Sequence, residues 1–83
     1  MDVSPGTYVH YKPAGHRYLV LGLGHDANDP DRTAVVYLPL YPVDGPPFAV
    51  RTVADFTAWV DPGNGTTVAE GTPGAVRRFT RLD

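Results

Sequence analysis

Apolar and polar residues alternate along most of this chain, and glycines and prolines cut the alternation into short runs, the punctuation of an all-β domain. Residues 7–12 read as a first strand, with Tyr8, His10 and Lys12 on one face and Val9 and Tyr11 on the other. Pro13-Ala14-Gly15 turns it into a second strand over residues 17–25. There Leu19, Leu21 and Leu23 share one face, and Tyr18, Val20, Gly22 and Gly24 the other. Gly22 and Gly24 inside a strand predict a bulge or a bend. The acidic stretch "HDANDPDR" reads as a surface loop. Residues 33–41 form a third strand, apolar on both faces, on which Tyr37 and Tyr41 lie four apart and share a side. Pro39 has no N–H for a ladder, which puts it at an edge or a bulge.

"PVDGPP" turns the chain, and residues 48–52 form a fourth strand. In "VADFTAWV", the spacing of Val53, Phe56 and Val60 suits a single 3₁₀-like turn, followed by a short strand over 57–60. Residues 61–74, "DPGNGTTVAEGTPG", hold one isolated Val68 among Gly and Thr. They read as a long hairpin loop, expected to be the most mobile internal segment. Residues 75–83, "AVRRFTRLD", close as a last strand. Five to six short antiparallel strands with one 3₁₀ turn predict a small SH3-like β-barrel.

The chain's 83 residues make one domain, 1–83, with residues 1–5 as a flexible tail. The absence of cysteine excludes a disulfide staple, a thiol nucleophile and any thiolate metal site. No signal segment is visible in the polar start, and no apolar run approaches membrane-spanning length, so a cytoplasmic protein is expected. A net charge of −2 is the wrong sign for a duplex-DNA binder.

Five stretches carry a resemblance: "GTYVHYK", "YLVLG", "VVYLPLY", "FAVRTVADF" and "RRF". In order and spacing they resemble the signature of the bacterial domain-of-unknown-function family 1653. That resemblance implies a small SH3-like barrel, occurring alone or appended to other domains, and no established activity. The family usually has Arg-Pro after the fourth strand; here Arg51 is followed by Thr52.

The candidate chemistry is sparse. His10, His16 and His25 lie near Asp26, Asp29 and Asp31 in sequence, but none of the histidines has metal-ligand spacing to another, and no metal or other cofactor is expected. "DANDPD" lacks the glycine and the terminal glutamate of a calcium loop. The single serine, Ser4, sits in the tail, which leaves acid–base work by His10 with an aspartate as the one hydrolase reading. Binding fits better. His10, Lys12 and Arg51 with Tyr37 and Tyr41 form a candidate patch for a protein or peptide partner, or for a small anionic ligand held by charge-assisted bonds. A bland account competes: tyrosines are large, small barrels need large side chains, and Tyr37 and Tyr41 then complete the core. The alternative binding reading is nucleic acid, through the basic–aromatic cluster Arg77, Arg78, Phe79 and Arg81. The expected molecule is a non-catalytic module, monomeric or weakly self-associating.

Overall fold

The computed structural model describes residues 3–12 and 14–82. In chain order its elements are β1 (Gly6–His10), β2 (Arg17–Asp26), β3 (Asp29–Pro39), β4 (Ala49–Thr52), α1 (Val53–Phe56), β5 (Trp59–Val60), β6 (Thr67–Val68), β7 (Val76–Arg77) and β8 (Phe79–Arg81). Strands β4, β3, β2, β1 and β8 lie side by side in one antiparallel sheet, and β6, β5 and β7 form a second. The domain is all-β, as the alternation predicts.

The sheets do not close into a hydrogen-bonded barrel among the described residues: β4 and β6 are outer strands with no ladder between them. The physical reason lies at the joins. α1 lifts the chain from one sheet to the other after β4, and β6 is two residues long. The sheets meet instead at Arg78, where β7 gives way to β8. Its N–H donates to the Ala58 carbonyl at 2.9 Å, and its carbonyl accepts the Tyr11 N–H at 3.1 Å.

Four local expectations are corrected. The stretch read as a loop over 25–32 is mostly strand. β2 runs on to Asp26 and β3 starts at Asp29, because the Asp26 carboxylate accepts the Asn28 N–H at 2.9 Å and makes a tight turn. β3 stops at Pro39, its last bond to β2 running from the Leu40 N–H to the carbonyl of Arg17, the first residue of β2, so Tyr41 lies beyond it and does not share a strand face with Tyr37. The 3₁₀-like turn is one α-helical turn: Thr52 caps it, its hydroxyl accepting the Asp55 N–H, and the Thr57 N–H closes an i→i−4 bond onto Val53. The loop over 61–74 contains β6, paired with β5 through Trp59 opposite Val68. Of the expected turn at 13–15, Pro13 lies outside the described residues.

Alternation fills the interior. Val20 and Tyr37 face each other across β2 and β3, and Val35 follows two residues before Tyr37. With Val3, Tyr8, Phe56 and Phe79 they make the core, and Val60, on the central strand of the second sheet, is also buried. Val3 therefore anchors part of the expected tail, helped by the Tyr8 hydroxyl, which donates to the Ser4 carbonyl at 3.0 Å. Phe56 and Phe79 lie parallel at 4.3 Å, and Tyr8 and Tyr37 meet Phe56 edge-on at 5.4 Å. Such contacts add ~0.5–1.5 kcal/mol each beyond the area they bury. A bulge between Val20 and Gly22 shifts the phase of β2, and Leu21 and Leu23 end up half exposed. Among the described residues no helix is long and apolar enough to cross a membrane.

Candidate functional site

β1 delivers His10 to the rim of the aromatic core. Its ring packs on Tyr11 at 4.6 Å, edge-on to Phe79 at 5.0 Å and edge-on to Tyr18 at 6.5 Å. Its Nδ1 accepts the Lys12 backbone N–H at 3.3 Å, which leaves the neutral ring's proton on Nε2. Burial pushes the His10 pKa down from 6.5 to about 4, and the positive charges of Lys12, Arg51, Arg78 and His16 push the same way.

Arg51 reaches this rim from β4. Its register opposite Val35 points it along the core side of the sheet. Its Nε donates to the Tyr37 hydroxyl at 2.8 Å and its Nη1 to Asp55 Oδ2 at 2.6 Å, and its guanidinium lies 5.7 Å from the Phe79 ring centre. Burial opposes the Arg51 charge, but the hydrogen bonds to Asp55 and Tyr37 outweigh it and hold the pKa above the ordinary arginine value. Arg78 arrives from the junction of the sheets. Its Nε donates to the Asp55 carbonyl at 3.0 Å and its Nη2 to the Thr67 hydroxyl at 3.1 Å, with Asp55 Oδ1 at 3.5 Å. Asp55, in the first turn of α1, thus ties both arginines in place.

These side chains share an open cleft of about 430 Å³ with Lys12 and with the turn Pro62–Gly65. That turn is self-built. Asp61 accepts the Gly63 N–H through its carboxylate and the Gly65 N–H through its carbonyl, and the Asn64 side chain accepts the Thr66 N–H. Gly65 has φ +74°, and a Cβ there would sit 2.9 Å from the Tyr11 hydroxyl, so glycine lets the turn close against β1. None of the residues lining the cleft carries a carboxylate.

His10, Lys12 and Arg51, named from sequence as one patch, are therefore neighbours. Tyr37 stands behind them, 5 % exposed, orienting Arg51. Tyr41 is elsewhere: its hydroxyl bonds that of Tyr18 at 2.8 Å and its ring lies 4.2 Å from His16. The Tyr18 hydroxyl pKa is pushed up to about 12 by burial and by this bond. The basic–aromatic cluster at the C-terminal end is dispersed. Arg78 joins the cleft, whereas Arg77 stacks on Trp59 at 4.7 Å and Arg81 donates to the Pro5 carbonyl. Phe79 is buried and offers no free face to a base. Asp55 and the turn at 62–65 are parts of the site that the local pattern did not single out. The signal available for the turn was the run Asp-Pro-Gly-Asn-Gly. Among the described residues no three of His, Asp and Glu gather as a metal would need.

The position of His10 gives an acid-stability prediction. Above pH 6.5 the ring is neutral in both folded and unfolded chains and contributes nothing. Between pH 6.5 and about 4 only the unfolded chain takes up the proton, so stability falls with pH across that window and levels off below it. The gap corresponds to ~3 kcal/mol, which solvent screening at a half-exposed ring cuts to ~1–2 kcal/mol. Urea midpoints at pH 7 and pH 4.5 should show His10→Gln losing that much less than the native chain. Equal losses would locate the acid sensitivity in other groups.

The profile of the family described as "protein of unknown function (DUF1653)" matches residues 6–81. A crystal structure of a protein of that family from Bordetella bronchiseptica superposes with a TM-score of 0.75 at 33% sequence identity, covering 98% of this chain and 88% of that one. No curated protein matches the chain.

Proposed function

Because the chain belongs to the DUF1653 family, whose description states no activity, we propose from its own geometry that it is a non-catalytic binding module whose cleft takes an anionic group, carboxylate or phosphate, of a small ligand or a protein partner. The observation that carries this reading is the convergence of Lys12, Arg51 and Arg78 with an uncharged His10 on one polar cleft, in a chain of net charge −2. Arg51 and Arg78 are held before any ligand arrives, and preorganised charge-assisted donors lose little freedom on binding.

The hydrolase reading is weaker on two counts. A histidine with a pKa of about 4 is a poor general base near neutrality, where a value near the working pH serves best. Its Nδ1 faces a backbone N–H where a catalytic histidine would want an orienting carboxylate. We further propose that the module works in the cytoplasm as a monomer or a weak self-associate, in keeping with a cysteine-free chain.

The test is an amide-shift titration of labelled protein with acetate, inorganic phosphate and a proline-rich peptide. Shifts should gather at residues 10–12, 51, 63–65 and 78. Lys12→Ala should weaken anion binding by ~1–3 kcal/mol and move stability by less than ~0.5 kcal/mol. Shifts confined to Arg77 and Arg81 on adding single-stranded nucleic acid, with none at the cleft, would sink the proposal.

A further inference from the structure

Resting on that anion-binding reading, we infer that the cleft is built for a dianion, the terminal phosphate of a small phosphate monoester, and not for a carboxylate. Charge counting comes first. Lys12, Arg51 and Arg78 bring three positive charges, and Asp55, bonded to both arginines, offsets one. Two remain, because His10 adds none near neutrality. A carboxylate supplies one negative charge and would leave the other cation in the cleft uncompensated. A phosphate monoester above its second ionisation supplies two.

The donors give the same answer. Arg51 spends Nε on Tyr37 and Nη1 on Asp55, which leaves Nη2. Arg78 spends Nε and Nη2 on Asp55 and Thr67, which leaves Nη1. The Lys12 ammonium has no partner among the described residues, and His10 keeps its Nε2 proton. Four donor groups from four separate points of the chain spread readily over the three terminal oxygens of a phosphate, whereas a carboxylate would have to take all four on two oxygens. The cleft's volume of about 430 Å³ is that of a small-molecule site. Arg77 and Arg81 are engaged elsewhere and do not line the cleft, so they do not extend it into a basic track for a polynucleotide.

Three probes separate the ideas: methyl phosphate, dimethyl phosphate and acetate, each titrated at pH 7.5 and pH 5. Dimethyl phosphate keeps the phosphorus and two terminal oxygens but carries one charge at both pH values. Methyl phosphate passes from two charges towards one between them, its second pKa lying near ~6. At pH 7.5 methyl phosphate should bind about tenfold more tightly than either control, and the advantage should shrink several-fold at pH 5. The ionisable groups lining this pocket are His10, Tyr11, Lys12, Arg51 and Arg78, with Asp55 behind the arginines and Asp61 at the root of the turn. Protonation of His10 would strengthen binding in acid, the opposite sense, and the profile should persist in His10→Gln. If all three probes bind the cleft equally at both pH values, the dianion assignment is overturned and the anion site survives. If none shifts the cleft amides, both fall. A 5′-phosphorylated oligonucleotide binding tenfold better than methyl phosphate, with added shifts at Arg77 and Arg81, would replace the small ligand with a nucleic-acid end.

Discussion

Phe56→Ala and Tyr37→Ala should each destabilise the domain by ~3–5 kcal/mol, whereas Tyr41→Ala should cost ~1 kcal/mol. Phe56 is 2 % exposed, stacks on Phe79 and meets Tyr8 and Tyr37 edge-on. Removing it leaves a ring-sized void at the centre of the aromatic cluster, which β1, β3 and β8 cannot collapse into without breaking their ladders. Tyr37 touches Tyr18, Phe56 and Phe79 and also anchors Arg51, so its loss leaves a void and frees a partly buried guanidinium. Tyr41 is half-buried in the segment after β3 and forfeits one hydrogen bond and two ring contacts, with His16 and Tyr18. A domain of this size has ~5–15 kcal/mol in all, and 3–5 kcal/mol lowers its melting temperature by ~12–40 °C. Thermal melts with urea midpoints decide it. A Tyr41→Ala cost equal to that of Tyr37→Ala would mean the segment after β3 is as tightly packed as the strand. Tyr37→Phe isolates the hydroxyl: it keeps the ring and should cost only ~0.5–1.5 kcal/mol.

The difference between these two tyrosines shows what the sequence pattern could and could not carry. Period-2 alternation located β1, β2 and most of β3, because each buries one side and a one-residue slip would turn that side to water. It extended β3 through Tyr41 because apolar residues continue past Pro39, but the pairing ends where β2 begins, with the Leu40 N–H on the Arg17 carbonyl. The hairpin at 25–32 was hidden for the opposite reason. Asp, Asn and Pro advertise a loop, yet here an aspartate side chain closes a two-residue turn and the ribbon continues on both sides. In the site, alternation put His10 and Lys12 on one face, and Arg51 was added to them as a basic residue of the fourth strand. Asp55 was not singled out, and Arg78 was read as part of the C-terminal nucleic-acid cluster. They meet across 23 residues, through a strand that breaks at Arg78 to bond Ala58, and no local pattern encodes that long-range choice. Neighbouring arginines in "RRF" look alike in sequence, and alternation sends Arg77 to Trp59 and Arg78 to the cleft.

Asp55→Ala carries the second large effect, and it links the fold to the site. Asp55 is the acidic partner of both Arg51 and Arg78, and the Arg78 side chain is only 12 % exposed. Truncating Asp55 leaves two partly desolvated guanidinium groups beside Lys12 with nothing to offset them. A fully buried pair broken this way costs ~3–5 kcal/mol. Asp55 itself is 44 % exposed, so solvent screens part of that, and ~2 kcal/mol is the expected loss at low salt. The cap of α1 should survive, since it uses the backbone N–H of residue 55 and the Thr52 hydroxyl. The same change raises the cleft's residual charge from two to three, so phosphate should bind several-fold more tightly. Inorganic phosphate should then restore more of the lost stability than chloride at matched ionic strength, because a bound anion takes the place of the missing carboxylate. A purely structural role for Asp55 predicts the same destabilisation with no gain in anion affinity and equal rescue by the two salts. Melts of the native chain and Asp55→Ala in both salts, with a phosphate titration followed at the cleft amides, distinguish the two. Equal rescue with unchanged affinity would remove Asp55 from any account of the cleft's charge.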